Sequence, residues 1–524
     1  MSSMRRAAGA AVALVAVALF GASAASAGPF TAGSTVQVSG ASPIPAACIG
    51  DNDAPASSVN FFNSEVEPYL AADPGPDLSD QLHFVGAWQQ DRWNDGGARG
   101  DVTAATFDGG QTWSTQANTK STTCTGGTAA NGGNYERASD PWTAISPDGT
   151  TYLMSLSVDT NPGGFGLHPN AMLAMRSTDG GLTWEDPITL KRDENPNVLN
   201  DKNTMTADPL DSDFAYAIWD RLVVPPTEAP PPQSNAELAI GYRGPTWFTR
   251  TTDGGDSWEP ARMIFDPGTV NQTIGNQIVV TGSGDLVNAF DLIRNFSNRQ
   301  KQRGFSIAVI RSEDKGETWD ENATIVDRHF TFQGIVIDPE DPNTNTRRVR
   351  TGDILPEVAS DLNSEAVYLV WQDSRFGPRS SVAFSQSLDG GRTWSPTVKI
   401  NQTPTNIPVG NQQAFTPMVR VSDDGTVTVT YYDFRFNTPD PDLRTDAWAI
   451  HCHAATDDCT DPSSWTDEIR LTDASFDMRR APFANGWFVG DYVGLDTDGT
   501  NQFPFWSMPH AGDPASVFVR ELSP

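Results

Sequence analysis

Short runs of apolar and aromatic residues recur along the chain, and each follows a turn rich in Asp, Ser, Gly or Pro. The runs have the length of strands and are rich in β-branched and aromatic residues, which is typical of β-structure. They are His83–Trp88, Tyr152–Val158, Phe214–Trp219, Leu286–Phe290, Ala366–Trp371, Thr426–Tyr432 and Phe503–Met508. This pattern predicts an all-β fold of consecutive strands joined by tight turns.

A longer motif, Ser/Thr-x-Asp-x-Gly-x-Ser/Thr-Trp, lies between further strand-type runs and occurs five times. Its aspartates are Asp108, Asp179, Asp253, Asp314 and Asp389, which are 61 to 75 residues apart. We expect a hairpin turn in each copy, because the hydroxyl and carboxylate groups can accept hydrogen bonds from nearby backbone N–H groups and glycine tolerates positive φ. A repeat of this length is typical of one four-stranded sheet, so the spacing predicts a β-propeller.

The turns that precede the apolar runs indicate the number of repeat units. There are seven of them, so we predict seven blades, with six as the alternative. The seventh unit has predicted strands at Val489–Leu495, Phe503–Met508 and Ser516–Leu522 and no outer strand. We expect an N-terminal strand within residues 34–62 to complete it. The predicted organisation is a leader over residues 28–58, which can supply this strand, and a single propeller domain over residues 59–524.

The N-terminus has the three parts of a secretory signal peptide. Arg5 and Arg6 precede an apolar run from Ala10 to Phe20, and small residues up to Ala27 form a cleavage site. The run is too short for a membrane span, which needs about 20 apolar residues. We therefore expect residues 1–27 to be removed, and the mature protein to be a secreted monomer that does not insert into membranes.

The net charge narrows the classes of partner. The formal net charge is −31 at pH 7, which argues against nucleic acid as a partner because nucleic acid needs a basic face.

Four cysteines in an exported chain indicate two disulfides, and we predict Cys48–Cys124 and Cys452–Cys459. The second pair would close the hairpin of the sixth unit, which lacks the repeated motif. A zinc site around His451-Cys452-His453 is the alternative, although its spacing fits no four-ligand pattern.

An aromatic residue, an aspartate and an arginine recur where the second strand of a unit ends. The aspartate–arginine pairs are Asp91–Arg92, Asp220–Arg221, Asp373–Arg375 and Asp433–Arg435. One interpretation is that these pairs join neighbouring blades, which their repetition favours. The other is a ring of guanidinium groups that binds a carboxylate in bidentate geometry.

Further charged residues stand at the start of the first strands, which line the central channel of a propeller. With their polar neighbours, they are Glu65, Glu67, Arg137, Asp140, Asp201, Lys202, Asn203, Asn276, Asp353, Glu357, Asp491 and Tyr492. Carboxylates that converge on one axis repel each other, so this set indicates a polar ligand or catalysis rather than stability alone. The loop Ser475–Pro482 is expected on the same face, and the sequence assigns it no role. A proline-rich insertion at residues 223–232 is expected on this face as well.

The five-fold repeat resembles the Asp-box, or BNR, repeat of the sialidase (neuraminidase) superfamily. The resemblance implies a secreted exo-acting glycoside hydrolase that releases terminal sialic acid or a similar acidic sugar from glycoconjugates. Sialidases use a tyrosine nucleophile with a glutamate partner, an aspartate acid/base and an arginine clamp on the sugar carboxylate. When the family's residues are matched in chain order, Asp91 is the acid/base, Glu357 is the glutamate partner and Tyr492 is the nucleophile. Arg92, Arg375 and Arg435 would form the clamp.

The chain departs from the family in two respects: sialidases have six blades, and their early Arg-Ile-Pro motif is absent here. Two other functions therefore stay open. A polysaccharide lyase or another glycosidase would act on uronic-acid glycans, with arginines neutralising the carboxylate. A non-catalytic glycan-binding propeller would stack sugars on exposed aromatic residues such as Trp93 and Trp487. No cofactor is predicted, and no EF-hand-like spacing supports a structural calcium ion.

Overall fold

The structure is a computed structural model that describes residues 30–75, 82–161, 167–224, 243–294, 304–331, 335–341, 347–439 and 441–524. The predicted signal peptide and nearly all of the proline-rich insertion lie outside these ranges. Within them the regular structure is β-strand, apart from short 3-10 helices at Thr123–Thr125, Val409–Asn411, Pro462–Ser464 and Met478–Arg480. In these ranges no helix is long and apolar enough to cross a membrane.

Four-stranded antiparallel sheets follow one another along the chain, and in sheets I to VI the strands pair in sequence order. Sheet I contains Glu65–Ala72, Phe84–Arg92, Ala98–Thr106 and Ser114–Gln116; sheet II contains Arg137–Ile145, Thr151–Val158, Asn170–Ser177 and Ile188–Asp193; sheet III contains Val198–Ala207, Ala215–Val223, Thr246–Thr251 and Arg262–Phe265. Sheet IV contains Asn271–Val280, Leu286–Arg294, Phe305–Ser312 and Thr324–His329; sheet V contains Glu357–Ser360, Val367–Asp373, Ser381–Ser387 and Val398–Lys399; sheet VI contains Ala414–Val421, Thr426–Asp433, Arg444–His453 and Thr466–Arg470. The strand Phe476–Asp477 also pairs with the third strand of sheet VI. Each predicted apolar run lies in or next to the second strand of its sheet.

Sheet VII joins the two ends of the chain. Its strands Gly494–Thr497, Gln502–His510 and Asp513–Val519 are followed by the N-terminal strand Val36–Gln37, which pairs with Val519 and Phe518. A second N-terminal strand, Thr31–Ala32, pairs with Leu522–Ser523. The prediction that the first strand begins at Val489 was wrong. Gly490 has a φ of +146° and stands against the backbone of Glu67, so this stretch is a loop and pairing begins at Gly494.

The sheets are arranged as a ring. The first strand of each sheet packs against the first strand of the next, and that of sheet VII packs against that of sheet I. Sheets I and II are also joined by backbone pairing between Ala98 and Ala138. This arrangement is that of a β-propeller, and it directs the start of every first strand and the end of every second strand to one face. We call this face the loop face.

The hydrophobic core lies between neighbouring sheets. Trp88 of sheet I packs in one cluster with Phe505 of sheet VII, and Trp371 of sheet V packs with Val287 of sheet IV. Trp88, Trp219 and Trp371 are fully buried. The aromatic residues at the ends of second strands therefore stabilise the contacts between sheets.

The five repeated turns have the predicted geometry and lie on the face opposite the loop face. In each copy the aspartate Oδ1 accepts hydrogen bonds from the hydroxyl two residues before it and from the backbone N–H four residues after it, while Oδ2 accepts one from the hydroxyl four residues after it. The glycine two residues after the aspartate has a φ between +81° and +85°. These carboxylates are therefore occupied in shaping the turns.

Both predicted disulfides are confirmed. Cys48 and Cys124 tie the N-terminal segment to the loop that follows sheet I, and Cys452 and Cys459 close the end of the third strand of sheet VI. An insertion lies between two of the described sheets. The strands Ile335–Ile337 and Arg348–Arg350 form a two-stranded hairpin between sheets IV and V, on the loop face.

Candidate functional site

The first strands are irregular at one common level near the ring axis. Glu67, Asp140 and Lys202 have φ values of +53°, +52° and +48°, and the pairing of each first strand with the second shifts register there. Gly275 and Thr416 mark the same irregularity in sheets IV and VI. Such bulges redirect side chains, and their backbone strain is typical of functional sites.

These bulges help to assemble a group of charged residues that we call the axial cluster: Glu67, Asp140, Lys202, Arg350 and Asp491. Lys202 Nζ donates to Asp491 Oδ2 at 2.8 Å and lies 3.8 Å from carboxylate oxygens of both Glu67 and Asp140. Arg350 Nε donates to Asp491 Oδ1 at 3.0 Å, and its Nη2 donates to Oδ2. Apart from Arg350, the members are buried.

The environment shifts the pKa values of the cluster in opposite directions. Burial by itself would raise the pKa of Asp491, but Arg350 and Lys202 outweigh it and lower that pKa well below its usual range. Burial raises the pKa of Glu67, and the neighbouring Asp140 raises it further. For Lys202, burial opposes the charge, but Asp140, Asp491 and Glu67 together raise its pKa well above normal. The cluster therefore contains an ionised Asp491 beside a charged Lys202.

A cavity of about 20 Å³ adjoins the cluster, and we call it the axial cavity. Glu357 and Tyr492 both line it, beside Lys202 and Trp142. Glu357 is 4% exposed, and its Oε2 has no hydrogen-bond partner among the described residues. Burial raises the pKa of Glu357 to about 8, although Arg420 acts in the opposite direction. Burial therefore favours the protonated form of Glu357 at neutral pH.

Tyr492 is held as a neutral phenol. Its hydroxyl donates to the backbone oxygen of Pro141 at 3.2 Å, and its ring centroid lies 5.2 Å from that of Trp142. Burial raises the pKa of Tyr492 well above its usual value, and the carboxylates of Glu67 and Asp140 raise it further. The structure therefore brings Tyr492 and Glu357, two of the three predicted catalytic residues, to one cavity.

The third predicted catalytic residue, Asp91, does not line this cavity. Asp91 is fully buried, and it accepts hydrogen bonds from Ser42 Oγ and the backbone N–H of Asn63, both at 2.8 Å. Arg99 Nη1 lies 3.8 Å from its Oδ2. These contacts fix the N-terminal segment against sheet I, and burial raises the pKa of Asp91.

Arg92 is the one residue of the predicted arginine clamp that lies beside the axial cluster. Its guanidinium group lies 5.3 Å from the ring centroid of Phe488, and that of Arg350 lies 4.5 Å from the same ring. Arg92 Nη1 donates to Gln89 Oε1 at 3.1 Å, and Gln89 in turn donates to Glu67. Burial and the neighbouring Arg350 lower the pKa of Arg92.

Arg375 and Arg435 are bound to carboxylates within the blades. Arg375 pairs with Asp327 of sheet IV and with Asp373, the latter at 3.0 Å. Arg435 pairs with Asp433 at 2.6 Å and with Glu468. Neither arginine lines the axial cavity.

Two of the four aspartate–arginine pairs link neighbouring sheets, whereas Arg435 binds the carboxylates of its own sheet. Arg221 binds Asp193 of sheet II in bidentate geometry, at 2.7 and 3.0 Å. Asp220 accepts from Thr273 at 2.9 Å and Asn276 at 2.6 Å, both of sheet IV. These contacts, with the Arg375–Asp327 pair, match the interpretation that the repeat connects neighbouring blades.

Trp93 was wrongly predicted to be an exposed sugar platform. It is 5% exposed, because the Arg137 guanidinium group covers its ring at 4.5 Å from the centroid. Arg350 was missed by the sequence reasoning. It lies in an insertion outside the repeat, and its only signal is the basic run Arg347-Arg348-Val349-Arg350 in an acidic chain.

A wider cavity of about 380 Å³ lies at the opposite end of the axis, among the turns between first and second strands. Arg420 lines it, pairs with Asp496 at 3.2 Å and donates to the Tyr69 hydroxyl at 2.8 Å. Gln277 lines both cavities. Glu357, Tyr492 and one member of the axial cluster, Lys202, line the axial cavity.

Comparisons with known proteins give remote structural similarity. No family model and no curated protein matches the chain. Among solved structures, the chain is similar to the Hadza microbial sialidase Hz136 at 15% identity, covering 74% of this chain and 66% of that one with a TM-score of 0.43. It is similar to a NanB sialidase variant from Streptococcus pneumoniae at 9% identity, covering 94% and 99%, also with a TM-score of 0.43. A Penicillium chrysogenum alpha-L-arabinanase has 13% identity, coverage of 74% and 93%, and a TM-score of 0.39.

Proposed function

We propose that the protein is a carbohydrate-active enzyme, a sialidase-like glycoside hydrolase that acts at the axial cavity. The observation that carries the proposal is that Glu357 and Tyr492 line one cavity beside Lys202, with Glu357 Oε2 buried and unpartnered. A buried carboxyl oxygen without a partner is unfavourable for stability, so such a group points to a chemical role.

Two carboxyl groups with opposite pKa shifts support an assignment of acid and anion. Glu357, whose pKa is about 8, would donate a proton to the leaving glycosidic oxygen. Asp491, kept ionised by Arg350 and Lys202, would stabilise positive charge that develops on the sugar ring. The resemblance to sialidases implies an alternative mechanism in which Tyr492 is the nucleophile. In that mechanism Glu357 would act as a base and accept the proton of the Tyr492 phenol.

Sialic acid or a similar acidic sugar is the substrate class to test first. Arg92 and Arg350 both stand over Phe488, so two guanidinium groups lie close together beside the axial cluster, where Arg350 already binds Asp491. The same cations favour the second candidate function, a lyase acting on uronic-acid glycans. In either case the substrate would have to compete with Asp491 for Arg350.

We extend the proposal to two finer features of the protein. Seven blades are supported by the succession of sheets I to VII around the axis. Secretion is supported by the charged and apolar N-terminal leader and by the two disulfides.

The test is hydrolysis of a fluorogenic sialoside, together with a panel of acidic and neutral aryl glycosides, by the mature protein and three variants. We expect Glu357→Gln and Tyr492→Phe to lower kcat/KM by about 100-fold or more, which is typical for the loss of an acid/base or nucleophilic group. Glu65→Gln is the matched control. Glu65 is also buried with a pKa of about 8, but it is bonded to Ser39 and Gln90 away from the cavity.

The pH profile of kcat/KM separates the two roles of Glu357. A proton donor must be protonated, so the rate should fall as the pH rises through about 8. A base for Tyr492 must be ionised, so the rate would instead rise over the same interval. Products that absorb ultraviolet light from uronic-acid polymers would identify a lyase. If the protein binds glycans but turns over no substrate, the proposal that it is an enzyme is wrong.

A further inference from the structure

Two residues that line the axial cavity each carry a buried oxygen atom with no hydrogen-bond partner in the part of the chain that the structure describes. One oxygen is Glu357 Oε2, and the other is Oδ1 of Asn203, a residue that is 1% exposed. The Asn203 amide is oriented by its Nδ2, which donates to the backbone oxygen of Asp140 at 2.9 Å. The remaining Asn203 Oδ1 can only accept a hydrogen bond, and a buried acceptor without a donor is unfavourable.

The hydroxyl groups that line the same cavity donate elsewhere. The Tyr492 hydroxyl donates to the backbone oxygen of Pro141 at 3.2 Å. The Thr204 hydroxyl donates to the backbone oxygen of Asn276 at 2.9 Å. These two hydroxyl protons therefore do not satisfy either of the unpartnered oxygens, and a donor from outside the chain is needed.

A water molecule has the size and the hydrogen-bonding capacity that the axial cavity requires. The cavity volume is about 20 Å³, and about 10–15 Å³ is enough for one water molecule, whereas a sugar ring does not fit. A water can donate one hydrogen bond to Asn203 Oδ1. With its other groups it can accept the proton of neutral Glu357 or donate to the ionised carboxylate. It therefore suits both protonation states of Glu357.

We propose that the axial cavity is a binding site for one water molecule, which Asn203 positions against Glu357, and that Glu357 exchanges its proton through this water. When Glu357 acts as an acid, its proton passes to the water, and the water gives one of its own protons to the leaving glycosidic oxygen. The water is thereby regenerated, and Glu357 is left ionised. When Glu357 acts as a base, the Tyr492 phenol gives its proton to the water, and the water gives one to Glu357.

This inference rests on the proposed function, because it concerns the reaction of the same site. It explains how a carboxyl group in a cavity too small for a sugar ring can act on a sugar, since general acids and bases work through one intervening water as well as directly. Asn203 is a positioning residue in this scheme, because it acts only through the water.

A high-resolution crystal structure of the full mature chain tests the water site itself. We expect one ordered water at hydrogen-bonding distance from both Asn203 Oδ1 and Glu357 Oε2 in the wild type, and its loss in Asn203→Leu. Asn288→Leu is the matched control. Asn288 is also fully buried, its Oδ1 is likewise unpartnered among the described residues, and its Nδ2 donates to Asn276 Oδ1 at 2.7 Å. It does not line the axial cavity, so this variant should keep the water.

The kinetic test is the proton inventory, in which kcat/KM is measured in mixtures of H₂O and D₂O. Transfer through a water moves two protons, so kcat/KM of the wild type should follow a curve against the deuterium fraction, whereas transfer of a single proton gives a straight line. We expect Asn203→Leu to lower kcat/KM by about 100-fold and to give a straight line, with Asn288→Leu like the wild type. Asn203→Ser should restore the curve and at least about a tenth of the activity, because a hydroxyl oxygen can accept from the water.

Two results would overturn the inference while leaving the proposed function intact. One is a wild-type structure in which no water contacts both oxygens, and the other is a straight-line proton inventory in an active wild-type enzyme. Equal losses of activity in Asn203→Leu and Asn288→Leu would reject the positioning role, because they would reflect disturbed packing. If the wild type holds the water but turns over no glycoside, the proposed function is wrong, and the role of the water in catalysis with it.

Discussion

At the scale of single residues, Lys202 is the cation that holds the axial cluster together. Its ammonium group lies within 4 Å of oxygens from Glu67, Asp140 and Asp491, which come from sheets I and II and from the loop before sheet VII. A buried carboxylate is tolerated when a cation neutralises it, and removing one partner leaves an uncompensated charge. The side chain therefore connects three separate parts of the ring.

We expect Lys202→Met to lower the free energy of unfolding by about 3 kcal/mol, because three buried carboxyl groups lose a shared cation. Lys120→Met is the control, since Lys120 also has a positive φ, of +63°, and a 2.8 Å contact with a carboxylate. Its partner Asp186 is mostly exposed, so that substitution should change stability by less than about 1 kcal/mol. Urea unfolding monitored by tryptophan fluorescence measures both. Equal effects would show that burial does not strengthen the Lys202 contacts.

At the scale of elements, the turns that shape the fold lie on one face of the ring, and the strand ends that form the site lie on the other. Each repeated turn satisfies its own backbone through one aspartate, and it does so on the face opposite the axial cluster. The first strands differ, because bulges at Glu67, Asp140 and Lys202 interrupt their ladders on the loop face. Regular elements thus support an irregular centre.

The repeated turn gives a test at this scale. Asp389 accepts hydrogen bonds from Ser387, Arg392 and Thr393, and these bonds lower its pKa to about 2 although partial burial opposes them. We expect Asp389→Ala to destabilise the protein by about 1–3 kcal/mol, because several polar groups lose their acceptor. Leu388→Ala is the control, because Leu388 is 68% exposed and should be nearly neutral. Thermal unfolding compares them, and similar melting temperatures would contradict a structural role for the turn.

At the scale of the whole molecule, contacts between the two ends of the chain close the ring. The strand Val36–Gln37 adds to sheet VII, and Ser39 links that sheet to sheet I through Glu65 and the backbone of Val517. The Cys48–Cys124 disulfide then ties the N-terminal segment to the end of sheet I. These contacts add to the direct packing of sheet VII on sheet I, where Trp88 and Phe505 share one apolar cluster.

The two disulfides should therefore differ in their effect on stability. They span 76 and 7 residues, and in the loop-entropy account this difference corresponds to about 2 kcal/mol. We expect the double variant Cys48→Ser/Cys124→Ser to lower the unfolding free energy more than Cys452→Ser/Cys459→Ser by about that amount. Urea unfolding of the two double variants measures the difference. If removing Cys452–Cys459 lowers the unfolding free energy more, the effect of each disulfide on stability depends on local geometry rather than on closure of the ring.

The sequence by itself determined the features that depend on near neighbours in the chain. The repeated turns, the strand at each apolar run and the Cys452–Cys459 pair were predictable, because their hydrogen bonds and packing form within one hairpin. Cys48–Cys124 was also predicted, from the even cysteine count of an exported chain. The candidate site could be predicted in part. Glu357, Tyr492, Lys202 and Asp491 were among the residues expected on the axis because the sequence places them near the predicted starts of first strands, although Asp491 and Tyr492 lie in the loop before sheet VII.

Only the tertiary structure decided which of these side chains meet. The predicted clamp contained Arg375 and Arg435, and both are bound by carboxylates of the blades, a choice of partner that their local sequence does not specify. Arg350 reaches Asp491 from an insertion 141 residues away, through contacts in which Gly352 and Gly486 permit close approach. The irregular centre depends on bulges, on burial and on charges from distant strands. These are properties of the closed ring rather than of any one segment.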